Sequence, residues 1–370
     1  MSITLEQSSF SRTLQSVLGT VATKTTLPLL THFLLEAEDG VIKTTGTDLD
    51  VAMVSSLQTE SNGRFRITIP ARRLVDVIRE LPRDEIEIDV KDQRVTIRSR
   101  KTIIQIPGAN ADDYPSLPDL RLERRITTPA RTLERLIRRT LYAVSDDTTN
   151  PTLTGALLST SEGELRMVAT DGHRLARAST KGPITPLGKN DPIIPPKGLE
   201  QVLRLVGDDP GDVEIGIDKN HAAFHIGATT IFCRLIEGPF PNYEQVIPHE
   251  TKYSVTVDRA EMISGLRRIY SLSDSLTHQV KITFSPGQIA LESRTQDLGE
   301  GTTEIPAEYA GDPFTAGYNA QYLLDILKSF ESDRFEIKLN TPITAAVLQP
   351  LDMPEGEDLL CLLMPLRLTA

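Results

Sequence analysis

The residues around Asp171 constrain the fold of this 370-residue chain more than any other stretch, because two weaker copies of them occur elsewhere. Val168–Ala176 joins one strand-like segment to another. Its Asp-Gly pair is typical of a hairpin turn, since glycine accepts positive φ and aspartate binds its own backbone. Similar segments lie at Gly40–Ala52 and Gln288–Leu298, about 125 residues away on either side. This spacing predicts a threefold internal repeat.

The composition is that of an ordinary soluble globular protein, with 39% hydrophobic and 25% charged residues. A chain of this length exceeds one ordinary core and predicts two or three domains. No apolar run reaches the ~18 residues of a membrane span, and the polar N-terminus does not resemble a secretory signal. Two cysteines make neither a disulfide framework nor a metal site. We therefore expect a cytoplasmic protein with no membrane partner, no metal and no other cofactor.

Hydrophobic spacing predicts two short amphipathic helices in each repeat, separated by strands. Leu27–Glu36 is predicted as one buried strand, and Pro129 is placed at the favoured first position of the third helix. Two Pro-rich segments, Gly108–Leu120 and Glu237–Tyr243, are predicted linkers. The predicted helices are 7–19, 71–80, 129–143, 197–206, 259–270 and 319–330, and the predicted domains are 1–120, 125–245 and 250–370.

Positive charge is concentrated in the predicted helices, although the whole chain carries a net charge of −11. The helices hold about twice as many Lys and Arg as Asp and Glu, and the third helix carries Arg131, Arg135, Arg138 and Arg139. Basic helices around a common centre would suit duplex DNA, which presents a negative charge every ~1.7 Å of its axis. The chain has no helix-turn-helix, zinc finger or aromatic single-strand platform, so recognition of base sequence is not expected.

Several segments together resemble the bacterial DNA polymerase III beta subunit family, the sliding clamps. They are Thr47–Leu49, Ala169–Leu175, Gly238–Tyr243 and Leu363–Leu368, and the resemblance spans essentially the whole chain. It implies an α+β fold of three similar clamp-type domains, with helices lining a central hole and antiparallel sheets outside. It further implies a head-to-tail dimeric ring that encircles duplex DNA without sequence preference. The implied function is that of a non-catalytic DNA polymerase processivity factor, cytoplasmic and associated with the nucleoid.

The resemblance also implies a groove between the second and third domains, into which client proteins insert short peptides. Apolar residues at the matching positions would accept Leu or Phe anchors, and methionine adapts to different shapes. The implied clients are the polymerase III alpha subunit, the clamp loader, translesion polymerases, mismatch-repair proteins and ligase. The matching residues are Leu153, Thr170, Gly172, His173, Arg174, Leu175, Pro241, Val246, Ile343, Ala345, Leu362, Met364, Pro365, Leu366 and Arg367.

Further matching positions concern DNA and the dimer contact. Pro151 and Thr152 stand where the family often places aromatic residues near DNA, and Gln245 stands where many relatives have arginine at the groove. The apolar dimer positions could equally be core residues. The matching residues are Lys24, Arg72 and Lys197 for DNA, and Ile104, Ile106 and Leu272 for the dimer.

Two other classes of function stay open on the residues alone. Asp171 and His173 beside a turn could serve a hydrolytic enzyme as general acid and base. No nucleophile elbow, P-loop or metal-ligand spacing accompanies them, however. A protein-only scaffold with no DNA at its centre would show the same repeat. Retention on circular DNA that is lost when the DNA is linearised would separate a clamp from both.

Overall fold

The computed structural model describes residues 2–60, 63–117, 124–161, 163–182, 191–207, 211–248, 250–295 and 298–368. All six predicted helices are confirmed, with ends within a few residues of those expected. They are α1 (Gln7–Leu18), α2 (Ala71–Glu80), α3 (Ala130–Thr140), α4 (Pro196–Val206), α5 (Arg259–Tyr270) and α6 (Ala320–Ser329).

The strands of the described residues form three sheets whose paired neighbours are antiparallel. Nine strands precede α3: β1 (Ser2–Glu6), β2 (His32–Glu38), β3 (Val41–Thr47), β4 (Val51–Gln58), β5 (Phe65–Pro70), β6 (Glu85–Lys91), β7 (Arg94–Ser99), β8 (Thr102–Pro107) and β9 (Arg124–Pro129). Eight lie between α3 and α5: β10 (Ala156–Ser161), β11 (Glu164–Thr170), β12 (Arg174–Lys181), β13 (Ile193–Ile194), β14 (Asp212–Ile217), β15 (His221–Ile226), β16 (Thr229–Arg234) and β17 (Tyr253–Asp258). The remaining seven come after α5: β18 (Gln279–Ser285), β19 (Gln288–Thr295), β20 (Gly299–Glu308), β21 (Phe314–Asn319), β22 (Arg334–Leu339), β23 (Ala346–Pro350) and β24 (Glu357–Leu363).

The chain divides into two compact units. The first unit comprises Met1–Glu134 with Lys197–Leu235, and the second comprises Arg135–Pro196 with Ile236–Ala370. The first unit contains a four-stranded sheet, β1-β6-β7-β8, and an eight-stranded sheet, β5-β2-β3-β4-β16-β15-β14-β9. The second unit contains a twelve-stranded sheet, β13-β10-β11-β12-β24-β23-β22-β17-β20-β19-β18-β21. Among the described residues, no helix combines the length and hydrophobicity needed to span a bilayer.

The two stronger copies of the repeated stretch occupy equivalent places in these sheets. Asp48 lies in the turn between β3 and β4, and β4 pairs with β16. Asp171 lies in the turn between β11 and β12, and β12 pairs with β24. The third copy begins with β19, and its Gln296 and Asp297 lie outside the described residues. In each described case a strand leaving an Asp turn therefore pairs with a strand from much later in the chain.

The predicted strand Leu27–Glu36 is wrong in its first half. Pro28–Thr31 forms a 3-10 turn, in which the Leu30 amide donates to the Leu27 carbonyl oxygen at 3.0 Å, and β2 begins only at His32. Proline has no N–H to give to a strand ladder, so a tight turn suits this position better than a central strand.

The predicted helical position of Pro129 is also wrong. Pro129 is the last residue of β9, where it lies opposite Asp212 of β14. The helix begins one residue later, and the Ala130 amide donates to the Gly211 carbonyl oxygen at 2.9 Å. Strand pairing therefore extends up to the proline, which is tolerated at the end of a strand.

Candidate functional site

Two of the predicted groove residues, Leu175 and Leu362, meet on one face of the second unit's sheet. Leu175 lies opposite Leu362 across β12 and β24, and Leu362 lies opposite Val347 across β24 and β23. Directly opposite side chains point to the same face of a sheet, so these three form a continuous apolar floor. They belong to a buried hydrophobic cluster with Leu157, Val168, Ile193 and Leu360.

The segment between β16 and β17 covers part of this floor. Phe240, Tyr243 and Ile247 are partly buried and pack against the cluster. The hydroxyl oxygen of Tyr243 accepts a hydrogen bond from Nη1 of Arg166 at 3.0 Å, which holds the segment onto β11. Tyr243 opens a 3-10 turn that ends at Val246. Leu175, Val347 and Leu362 are themselves 3–4% exposed.

Exposed apolar side chains edge the floor. Val246 is 56% exposed, Ile343 is 79% exposed and Met364 is 44% exposed. The Met364 amide donates to the His173 carbonyl oxygen at 2.8 Å, which fixes the residue after β24 beside the Asp171 turn. We call Leu175, Val347 and Leu362, together with these three edge residues, the apolar groove. Contiguous exposed apolar surface is typical of interaction sites.

The Asp171 turn is built from its own side chains. Thr170 Oγ1 donates to the Arg174 carbonyl oxygen at 2.6 Å and accepts from the Gly172 amide at 3.1 Å. Asp171 Oδ1 accepts from the amides of His173 and Arg174 at 2.9 and 2.8 Å. Gly172 has φ of +87°. The loop has three residues rather than the two expected for an Asp-Gly hairpin, and the carboxylate serves the turn rather than a reacting group.

Arg174 lies on the opposite face of the sheet from the floor. It neighbours Leu175, and successive side chains of a strand point to opposite faces. The Arg174 side chain is 11% exposed, and its Nη1 donates to Asp325 Oδ2 at 2.8 Å. Its guanidinium lies 4.2 Å from the centroid of the Tyr322 ring and 5.4 Å from that of Tyr142. Arg174 therefore holds the Asp171 turn from the face of the sheet opposite the apolar floor.

The other predicted groove residues lie outside the floor and the Asp171 turn. Ala345 is buried just before β23, and Leu153 is half-buried at the end of the 3-10 turn Pro151–Leu153. The Leu366 amide donates to the Gly317 carbonyl oxygen at 2.8 Å, so the segment after Met364 is tied to β21. Gly172, His173, Pro241 and Arg367 are exposed, Pro365 is half-buried, and Gln245 is exposed.

The predicted DNA-contacting residues all lie in the first unit. Lys24 and Arg72 are exposed, and the Lys197 side chain is 42% exposed. The Lys197 ammonium donates to Oδ2 of Asp48, in the first-copy turn. Partial burial lowers the pKa of Lys197, and nearby Glu200 opposes that change. To contact a phosphate, Lys197 would therefore have to release Asp48.

Two arginines of α3 form ion pairs within the second unit. Arg139 Nη1 donates to Glu357 Oε2 at 2.6 Å, and the two side chains are 3% and 6% exposed. Arg135 Nη2 also donates to the same carboxylate. The sequence count of basic helix residues therefore overstates the charge available for DNA.

The predicted dimer residues are buried or half-buried within the chain. Ile106 lies opposite Val95 and is 2% exposed, and Ile104 lies opposite Ile97 on the same face. Ile103 points the other way and is 64% exposed, which makes it the accessible apolar residue of β8. Side chains along a strand alternate between its two faces, so the sequence Thr102–Pro107 could have shown that Ile103 points away from Ile104 and Ile106. Leu272 is half-buried, and its carbonyl oxygen accepts from Ser293 Oγ at 3.2 Å.

The described residues contain no group of three or more His, Cys, Asp or Glu side chains able to hold a metal ion. Both cysteines are buried, and burial raises the pKa of the Cys233 thiol and of the Cys361 thiol to about 12. Neither thiol forms a nucleophilic thiolate near neutral pH.

Comparison with known families and proteins gives a consistent result along the chain. Three family models match in succession: the N-terminal domain of the DNA polymerase III beta subunit at residues 1–118, its central domain at 127–242, and its C-terminal domain at 244–367. The beta sliding clamp of Pseudomonas putida is 32% identical over 370 residues, covering all of both chains.

Solved structures agree with these matches. The crystal structure of the DNA polymerase III subunit beta from Pseudomonas aeruginosa superimposes with a TM-score of 0.94 at 30% identity, covering all of both chains. A crystal structure of the sliding clamp from the same organism bound to griselimycin gives the same TM-score, identity and coverage. The similarity therefore extends from the sequence to the whole three-dimensional fold.

Proposed function

Because this chain belongs to the DNA polymerase III beta subunit family, the sliding clamps, we propose that its apolar groove binds short peptide segments of client proteins. The chain is a non-catalytic processivity factor of α+β fold, built from three clamp-type domains. One observation carries the groove proposal: the floor of Leu175, Val347 and Leu362 is continuous, and exposed Val246, Ile343 and Met364 edge it. The domain boundaries at 1–120, 125–245 and 250–370 stay a prediction.

The groove chemistry favours weak, exchangeable binding. Each buried Leu or Phe anchor contributes about 1.5–3 kcal/mol, and ordering a disordered tail costs about 2–5 kcal/mol. Micromolar affinity, about −8 kcal/mol, is the expected result. Such affinity would allow several clients to exchange at the same groove. These clients are the polymerase III alpha subunit, the clamp loader, translesion polymerases, mismatch-repair proteins and ligase. Arg174 supports the groove by holding the Asp171 turn, since its guanidinium is engaged on the other face.

We further propose that two chains close into a ring around duplex DNA, in the cytoplasm at the nucleoid. Lys24, Arg72 and Lys197 would make weak, exchangeable phosphate contacts, which position DNA without reading its sequence. The existing Lys197–Asp48 pair supports weak binding, because any phosphate must compete with it. Encirclement would then hold the clamp on DNA while leaving it free to slide.

Topological retention tests this proposal. After loading by the clamp loader onto nicked circular DNA, the protein should co-elute with the DNA in gel filtration. Cutting the circle with a restriction enzyme should release it, because a ring slides off a free end. The triple substitution Lys24→Ala, Arg72→Ala and Lys197→Ala should lower direct DNA affinity while the retained fraction still depends on circularity. Equal retention on linear DNA would show direct binding without encirclement, and no retention on circles would favour a scaffold without DNA.

The dimer contact is proposed on two strand edges. β8 pairs only with β7 among the described residues. β20 pairs with β19 along Gly299–Pro306 but with β17 only at Ala307 and Glu308. Unpaired strand edges are templates for another chain. Because the two edges come from different ends of the sequence, pairing β8 of one copy with β20 of another would give a head-to-tail arrangement.

Substitution Ile103→Glu should weaken this dimer at least tenfold. Its side chain is exposed on β8, and the opposing edge carries Glu300 and Glu304, so the new carboxylate would meet like charge. Light scattering at micromolar concentration should show a shift toward the mass of one chain. Ile343→Glu, at another exposed isoleucine, which belongs to the groove, is the control and should leave the mass unchanged. A fully dimeric Ile103→Glu variant would contradict the assignment of β8.

A further inference from the structure

The Asp48 turn of the first unit repeats the hydrogen bonds of the Asp171 turn. Thr47 Oγ1 donates to the Val51 carbonyl oxygen at 3.1 Å and accepts from the Leu49 amide at 3.0 Å. Asp48 Oδ1 accepts from the amides of Asp50 and Val51 at 3.2 and 2.9 Å. Each bond spans the same number of residues as its counterpart in the second unit. The Asp48 and Asp171 turns therefore have the same hydrogen-bonding pattern.

The strand pairing beyond the turn is also the same. Ala52 lies opposite Phe232 across β4 and β16, in the register that Leu175 and Leu362 keep across β12 and β24. The Arg234 amide donates to the Asp50 carbonyl oxygen at 2.9 Å, just as the Met364 amide donates to that of His173 at 2.8 Å. Residue by residue, Ala52, Phe232 and Arg234 of the first unit stand where Leu175, Leu362 and Met364 stand in the second.

A pocket opens at this place in the first unit. It is lined by Leu49, Ala52, Pro115, His221, Phe232 and Arg234, among others. The segment beside it is anchored by Tyr114, which is buried and packs against Leu34 and Ala111. Tyr243 anchors the covering segment of the apolar groove in a comparable way. The first unit thus has a pocket, with Ala52 and Phe232 in its lining, at the place that corresponds to the apolar groove.

The edge of this pocket differs from that of the apolar groove in its charge. Arg234, at the position of Met364, is exposed, and no carboxylate of the described residues lies within ion-pair distance of its guanidinium. His221 lies opposite Arg234 on β15, with its Nδ1 3.6 Å from Asp218 Oδ1. The edge therefore offers a cation beside an apolar floor. An acidic residue next to an apolar anchor is complementary to that combination.

Leu49 supplies an independent reason to expect a ligand. It has φ of +83°, in the left-handed region that side chains other than glycine rarely adopt, and its side chain is 55% exposed at the pocket. The equivalent residue of the second unit is Gly172, with φ of +87°. Backbone strain of this kind concentrates at binding sites, where a particular side chain is needed despite its cost.

We propose that the pocket formed by Leu49, Ala52, Phe232 and Arg234 is a second peptide site, which takes an acidic protein segment carrying one apolar anchor. The apolar anchor packs on Ala52, Phe232 and Leu49, and the acidic side chain binds the Arg234 guanidinium. A nucleic acid fits less well, because a phosphate backbone carries no apolar group to pack on Ala52 and Phe232. This site is separate from the apolar groove, so each could exist without the other.

A peptide selection tests the proposal. The full chain carrying Met364→Glu, which blocks the apolar groove, is panned with a phage-displayed random heptapeptide library. The same chain with Arg234→Glu added is used for counter-selection. Enriched peptides should carry Asp or Glu beside Leu, Ile or Phe. Labelled versions of them should bind at least tenfold more weakly to the Arg234→Glu chain in fluorescence anisotropy.

Leu49→Gly separates a binding role from a structural one. Glycine accepts the positive φ without strain, so the melting temperature should stay the same or rise, whereas peptide affinity should fall at least threefold. Failure to enrich acidic–apolar peptides over the counter-selection would overturn the proposal. So would affinity for a 20-base-pair duplex that falls with Arg234→Glu while peptide binding does not, because the pocket would then contact DNA. Neither result would affect the apolar groove, which is blocked throughout.

Discussion

Met364→Glu is expected to weaken client-peptide binding at least a hundredfold, which corresponds to about 2.7 kcal/mol. The Met364 side chain is 44% exposed at the edge of the apolar groove, so a carboxylate there is hydrated in the free protein. A bound Leu or Phe anchor would remove that water and leave the charge beside Leu362 without a partner. Burying an unpaired charge costs several kcal/mol. The loss should therefore exceed the contribution of one lost contact.

Fluorescence anisotropy with a labelled peptide that carries Leu and Phe anchors measures this effect. Met364→Leu is the matched control and should change the affinity less than tenfold, because Leu and Met have similar volumes and hydrophobicity. Leu276→Glu controls for added negative charge, since Leu276 is 88% exposed and no groove residue is replaced. The melting temperature of Met364→Glu should match that of the parent. A loss smaller than threefold would place the peptide elsewhere on the molecule.

Glu357→Ala should destabilise the second unit by about 3–5 kcal/mol, the range observed when one member of a buried ion pair is removed. Glu357 begins β24 and accepts hydrogen bonds from both Arg135 and Arg139 of α3. Without it, Arg139 keeps only a distant carboxylate, Glu331 Oε1 at 3.6 Å, although its own side chain is 3% exposed. A buried guanidinium without its main partner is costly, and the β24 end of the fold should loosen first.

Urea unfolding, followed by far-ultraviolet circular dichroism, should show a lower midpoint for the transition of the second unit. Glu36→Ala is the control: it breaks the Arg66–Glu36 pair, whose side chains are 47% and 38% exposed, and should cost no more than about 1 kcal/mol. The double substitution Arg139→Met with Glu357→Leu should recover much of the lost stability, because a buried pair can often be replaced by apolar residues. An unchanged midpoint in Glu357→Ala would show that the pair contributes no net stability.

Local patterns in the sequence were sufficient to predict the six helices and the repeat. Apolar spacing located all six helices because a helix is stabilised by contacts between neighbours in the chain, together with one apolar face. The Asp171 and Asp48 turns were recognisable because Thr and Asp side chains bind amides only two or three residues away. The set of motifs then pointed to the sliding clamps, although no single motif was specific.

Tertiary structure alone decided where the side chains of those elements point and what they bind. Arg139 is one of the basic residues of the third predicted helix, but its partner Glu357 lies 218 residues away in the sequence. Ile106 matched a dimer position, yet β8 pairs with β7 in the register that buries Ile106 and exposes Ile103. Arg174 matched the groove but lies behind it. Sequence by itself determines which local structures form, because the interactions responsible lie within a few residues. Burial and charge pairing depend on strand register between distant segments, and a shift of one residue would exchange the two faces of a strand.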